Sequence, residues 1–118
     1  MQKNLKILES ATDQDGKPFN IVRMPSVPTI VIELTPEDYV FQALGSMDMR
    51  DGSSLQGKAS VKAVLAASYL NFIVANNVVL IPKYYKQGGD KIYQQTDEEA
   101  LLIFQKVFPS RTIVQIDT

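Results

Sequence analysis

The sequence predicts an α/β protein, a mixed sheet with helices, on three observations. Short apolar runs with β-branched residues, at 30–34, 68–82 and 113–116, are bounded or broken by Pro, Gly or Asn and read as strands. Segments 2–12 and 96–108 space their apolar residues at helical intervals. Helix, turn and strand then recur in the same coarse order along the chain.

Leu5, Leu8 and Thr12 fall along one side of residues 2–12, with Ile7 and Ala11 beside them, as in a short amphipathic helix. The Asp, Gly and Pro of residues 13–18 predict a turn. Residues 19–24, centred on Ile21 and Val22, read as a strand that Pro25 and Pro28 bring to an end. Residues 30–34 read as another strand. Thr35 then suits an N-cap, Pro36 a first helical position, and Glu37 and Asp38 a first turn at the positive end of the helix dipole. Tyr39, Val40, Phe41, Ala43 and Leu44 continue that helix, and Gly45 ends it. Residues 47–54 are loop-like, and residues 58–67 fit helix or strand equally.

Residues 68–82 are the most informative stretch: an apolar strand, an Asn76-Asn77 turn and a second strand closed by Pro82. Asn tolerates left-handed backbone angles, which suits a two-residue hairpin turn. Asn71 is the odd residue, because it puts a carboxamide into an otherwise apolar strand. A buried amide without partners costs about 1–3 kcal/mol. It is therefore either a satisfied structural group or a group aimed at a ligand. A polar loop with Gly88-Gly89 follows. Thr96 then reads as a helix cap with Glu99 as its capping-box partner. Leu101, Phe104 and Phe108 share a face with Ala100 and Val107, Pro109 closes the helix, and 113–116 is the last strand.

The chain has 118 residues, enough for a single domain with a modest core. Its net charge of −1, from 12 basic and 13 acidic residues, argues against a dedicated nucleic-acid surface. No apolar run is long enough to span a bilayer, and residues 1–4 do not lead into an apolar signal core, so the expected compartment is the cytoplasm. Without Cys or His there is no thiolate chemistry, no disulfide and no imidazole or thiolate metal site, and no cofactor is expected. Asp48, Asp51 and Asp90 lie in Gly-containing loops, where a solvated acid is the ordinary case. Lys83, Lys86 and Lys91 beside Tyr84, Tyr85 and Tyr93 form a basic-aromatic patch of the kind that stacks bases, but at this net charge a solvated loop is the favoured reading. Met47 and Met49 suit core or interface filling.

The run S-Y-L-N-F-I-V-A-N-N-V-V-L-I-P, followed by T-D-E-E-A-L-L-I-F-Q-K-V-F-P-S-R-T-I-V-Q-I-D, resembles the agmatine deiminase and bacterial-type peptidylarginine deiminase family. That family is similar in its S-Y-x-N-F element, its apolar strand ending in Pro, its helix ending in F-P and its strand ending in I-D. The start, L-K-I-L-E-S-A-T-D-Q-D-G-K-P-F-N-I-V-R-M-P, is similar to the family's helix, charged Gly turn and strand into a Pro-rich segment. The resemblance covers residues 2–28 and 68–118. Residues 29–67 have no counterpart in it and are expected to be an insertion.

The resemblance implies a pentein-type propeller of α/β blades, of which this chain would be a part. It implies a hydrolase that cleaves a C–N bond of a guanidinium group, with agmatine or peptidyl-arginine as substrate and ammonia as product. For agmatine that places the family in polyamine (putrescine) biosynthesis. The attacking group would be a Cys thiolate, assisted by His and by carboxylates that hold the planar cation. The family's cysteine lies shortly after the I-D strand and its histidine before the first helix. This chain carries neither residue and is expected to be inactive alone. Asn71 matches the Asn of S-Y-x-N, which lies at or near the family's active site, where a carboxamide could orient the histidine or the substrate. Ser68 and Tyr69 read as structural. The alternative is a non-catalytic interaction module that pairs through exposed sheet edges, as a homodimer or with a complementing chain.

Overall fold

The computed structural model describes residues 2–47, 50 and 52–118; Asp48, Met49 and Asp51 lie outside the described residues. Helix α1 is Gln2–Ser10. Residues 13–18 form the predicted turn. The Asp13 carboxylate accepts from the Asp15 and Lys17 amides at 2.9 Å each, and Gly16 takes the left-handed angle, φ 76°, that other residues avoid.

Residues 19–30 do not form the predicted strand. They pair with no strand among the described residues, and Pro25 and Pro28 lack the amide donor a ladder needs. Met24, Val27 and Ile30 instead pack on the main core, and Tyr93 donates its hydroxyl to the Thr29 carbonyl at 3.2 Å.

At Ile30 the chain leaves this core and returns at Leu65. Strand β1, Val31–Leu34, pairs antiparallel with β2, Val61–Val64, so residues 58–67 hold a strand and not a helix. Helix α2, Tyr39–Gly45, lies between them in sequence. Its start differs from the expectation: Thr35 and Pro36 precede the helix in a turn, and Asp38 is the cap residue. The Asp38 carboxylate is drawn back to the Thr35 amide at 2.6 Å and the Thr35 hydroxyl at 3.1 Å, so it caps no helical amide. Leu34, Phe41 and Leu55 form a small core of their own, flanked by Ile32, Leu44, Val61 and Ala63. The Leu65 amide donates to the Ile30 carbonyl at 2.9 Å, so the two ends of the excursion meet. Joining Ile30 to Leu65 in place of residues 31–64 is therefore expected to leave a cooperative unfolding transition carrying most of the native near-ultraviolet tyrosine signal. Loss of that transition would show the two cores to be interdependent.

The main core lies on a second sheet. Strands β3, Ile73–Val74, and β4, Val78–Lys83, form the predicted hairpin, and β5, Thr112–Asp117, lies parallel to β4 on its other side. The Asn76-Asn77 turn is closed by the Ala75 amide on the Val78 carbonyl at 2.9 Å. It does not use left-handed Asn angles: among the described residues only glycines have positive φ. Its carbonyls are tied from outside, by the Thr112 amide on Asn77 at 2.9 Å and by Arg111 Nε on Ala75 at 3.3 Å.

Helix α3, Lys91–Val107, supplies the crossover that parallel strands require. It starts earlier than Thr96. Asp90 is the N-cap and accepts from the Ile92 amide at 3.0 Å. Thr96 is a mid-helix residue whose hydroxyl donates to the Ile92 and Tyr93 carbonyls, each at 3.1 Å. Tyr69, Val79, Ile81, Tyr84, Ala100 and Phe104 are buried between helix and sheet. With two separate cores the chain is elongated, 54 × 36 × 27 Å, and its radius of gyration of 18.7 Å exceeds the ~13 Å of a compact chain near this size. Among the described residues no helix is long and apolar enough to cross a membrane.

Candidate functional site

The site is the turn at residues 68–71, where the chain crosses from β2 to the hairpin. The Asn71 amide donates to the Ser68 carbonyl at 3.2 Å and closes the turn, while the Leu70 amide donates to Ser68 Oγ at 3.1 Å. Alternation along an extended strand is broken here. Tyr69 takes the core position, at 1% exposure, and Phe72 packs edge-on to Phe104 with ring centroids 5.0 Å apart. Asn71 between them is exposed. The expectation of a buried carboxamide inside a strand is therefore corrected: Asn71 precedes β3 and faces solvent, so no desolvation cost is attached to it.

Beneath the turn lies a group the sequence reading passed over. Asp97 is 3% exposed. Its carboxylate accepts from the Tyr69 hydroxyl at 2.7 Å, from the Tyr84 amide at 3.1 Å to each oxygen, and from the Tyr85 amide at 2.8 Å. The Tyr84 ring stands edge-on to Tyr69 at 5.5 Å. Its hydroxyl accepts from the Ser68 amide at 2.9 Å and donates to the Ser68 carbonyl at 3.3 Å. Ser68 and Tyr69 are thus structural, as expected, and they fix both ends of the peptide that leads to Asn71. The signal that could have found Asp97 is its spacing: it precedes Ala100 and Phe104 by three and seven residues, which sets it on the apolar face of α3.

Burial pushes the Tyr69 phenol well above its ordinary range; the hydrogen bond with Thr96 opposes this, and the Asp97 carboxylate adds to it. A group whose folded pKa is raised stabilises the fold fully below its unfolded value, about 10 for tyrosine, and loses that contribution as pH rises beyond it. Unfolding free energy is therefore expected to fall with pH above about 10, and Tyr69→Phe should flatten that decline. Denaturation midpoints measured on either side of pH 10 in both proteins test this, and parallel slopes would refute it.

The other candidates separate. Asp90 is engaged as the α3 cap. Lys83 pairs with Asp117 at 2.9 Å, which holds the amine above and the carboxyl below their usual ranges, and Lys86 donates to the Thr118 carbonyl. Tyr84 is buried, so the lysines and tyrosines of 83–93 do not present one stacking surface. Gly88-Gly89 lies in a turn closed by the Gly89 amide on the Lys86 carbonyl at 2.8 Å. Met47 is 61% exposed and fills no core.

A parallel β4–α3–β5 unit with an added hairpin strand, its helix anchored by a buried carboxylate, defines the chain as an α/β protein. The solved agmatine deiminase of Enterococcus faecalis superposes over 99% of this chain with a TM-score of 0.59 at 24% sequence identity, the match covering 27% of that structure. The profile of the Porphyromonas-type peptidyl-arginine deiminase family matches residues 1–118, and the chain belongs to that family. The agmatine deiminase of Medicago truncatula is 28% identical over 111 residues, covering 94% of this chain and 25% of the plant protein. A relative from Selenomonas ruminantium is 33% identical over 115 residues, 98% of this chain and 26% of its own length. The chain thus spans about a quarter of the length of these relatives.

Proposed function

We propose that this chain forms the part of a guanidine-modifying hydrolase, of pentein-type propeller fold, that presents Asn71 to the guanidinium group of agmatine or a peptidyl-arginine. The carrying observation is the exposed Asn71 held on a turn whose two preceding contacts, Tyr69 and Ser68, are fixed by buried groups. A carboxamide there both donates and accepts, so it can orient a planar cation or an imidazole without competing as an acid. In the proposed reaction a thiolate adds to the guanidinium carbon, ammonia leaves, and water then releases the ureido product from the thiouronium adduct. With neither Cys nor His in its 118 residues, this chain supplies positioning to that chemistry and not the nucleophile. Residues 29–67, with their separate core, fit an insertion that shapes access to the site. A cytoplasmic setting and a role in polyamine synthesis accord with agmatine as substrate.

The test is a titration of side-chain-labelled protein with agmatine, followed at the Asn71 carboxamide by NMR. A shift with agmatine, absent with putrescine, which lacks the guanidinium group, is expected. No shift at millimolar agmatine would remove Asn71 from the site. Ureido product formed by the pure chain would overturn its assignment as non-nucleophilic.

A further inference from the structure

We propose that Asp97 is the positioning residue that fixes Asn71, a deepening of the functional reading above that rests on it for its catalytic meaning. One carboxylate bonds both residues that hold the turn, Tyr69 through its hydroxyl and Tyr84 through its backbone amide. It receives the Tyr69 hydroxyl at 2.7 Å directly. It also receives the Tyr84 and Tyr85 amides, at 3.1 and 2.8 Å, which seats the Tyr84 ring whose hydroxyl brackets Ser68 through its amide and carbonyl. From these two anchors the turn runs to the Asn71 amide on the Ser68 carbonyl, at 3.2 Å. No other described side chain bonds to both tyrosines. Asp97 itself is rigidly placed: it sits within α3, and its own carbonyl accepts from Gln115 Nε2 on β5 at 3.2 Å. The path from the buried carboxylate thus runs through hydrogen bonds and the two seated tyrosines to the Asn71 backbone amide.

Amide hydrogen exchange on the protein tests the relation. In Asp97→Asn, which keeps the side chain's size but turns an acceptor into a donor, the Ser68, Asn71, Tyr84 and Tyr85 amides are expected to exchange at least about tenfold faster together. The paired amides of β4 and β5 should keep their protection. In Tyr69→Phe, which removes only the phenol contact, the Asn71 amide should accelerate by a similar factor, so the proposal stays testable should Asp97→Asn fail to fold. Asp90→Ala removes the cap of the same helix without touching the turn, and it should leave the Asn71 amide unchanged. Unchanged Asn71 exchange in Tyr69→Phe, or equal acceleration in Asp90→Ala, would overturn the proposal. The agmatine-induced shift of the Asn71 carboxamide is read in the same variants. Its weakening at least about tenfold in Asp97→Asn supports positioning. A turn that depends on Asp97 while the wild-type carboxamide ignores agmatine supports the relation and refutes the functional reading alone.

Discussion

Asp97→Ala is expected to lower unfolding stability by about 3–5 kcal/mol, the largest effect of any polar substitution among the described residues. The truncation deletes an acceptor and strands the Tyr69 hydroxyl and the Tyr84 and Tyr85 amides in a buried place. Each unsatisfied donor costs about 1–3 kcal/mol, and water entering the space recovers part of the total. Small domains are stable by only about 5–15 kcal/mol, so the variant should sit at the edge of folding. Denaturant titration followed by tyrosine fluorescence and far-ultraviolet circular dichroism measures it. A loss below about 1 kcal/mol would mean that the carboxylate's own desolvation had already offset its hydrogen bonds. Asp97→Asn separates these terms. It retains one acceptor oxygen but points an amide group at other donors, and so it should lie between wild type and Asp97→Ala.

That a single acid carries so much was partly legible. The spacing of Asp97, Ala100 and Phe104 places all three on one helical face, yet an acid just after Thr96 also fits the first turn of a helix, where it would be solvated. The choice turned on where the helix begins. Asp90 starts it, because its carboxylate reaches the Ile92 amide, and residues 91–95 carry too weak an apolar period to extend the helix backwards on sequence alone. The expected burial of Asn71 failed for a related reason. The apolar run from Tyr69 to Val74 looks continuous, and only the tertiary clamps on Ser68 and Tyr69 bend it into a turn that expels Asn71. Residues 19–24 have strand composition but no partner, and pairing is a property of the fold and not of the segment. By contrast, the place of the hairpin turn, the last strand and the apolar face of α3 follow from local pattern, although the turn forms without the left-handed Asn angles that pattern suggested.

Phe104→Ala is expected to cost about 3–5 kcal/mol, and Phe41→Ala is expected to act on a different transition. Phe104 is 2% exposed. It meets Phe72 edge-on at 5.0 Å and stacks near Phe108 at 6.2 Å, so its ring joins α3 to the segment entering β3. Truncation there opens a cavity that Phe72, held by the clamped turn before it, cannot readily fill. The Arg111 guanidinium, 5.8 Å from the Phe108 ring, should loosen with it and free its bond to the Ala75 carbonyl. Phe41, 7% exposed, belongs to the small core with Leu34 and Leu55. Its loss should melt the 31–64 excursion while the βαβ unit stays protected, because among the described residues the buried side chains form two separate clusters. Hydrogen exchange distinguishes the outcomes: Phe104→Ala should raise exchange in β4 and β5, and Phe41→Ala in β1 and β2 alone. If Phe41→Ala instead lowered protection equally throughout, the excursion would be integral to the fold, and its reading as an insertion that shapes access to the Asn71 site would fail.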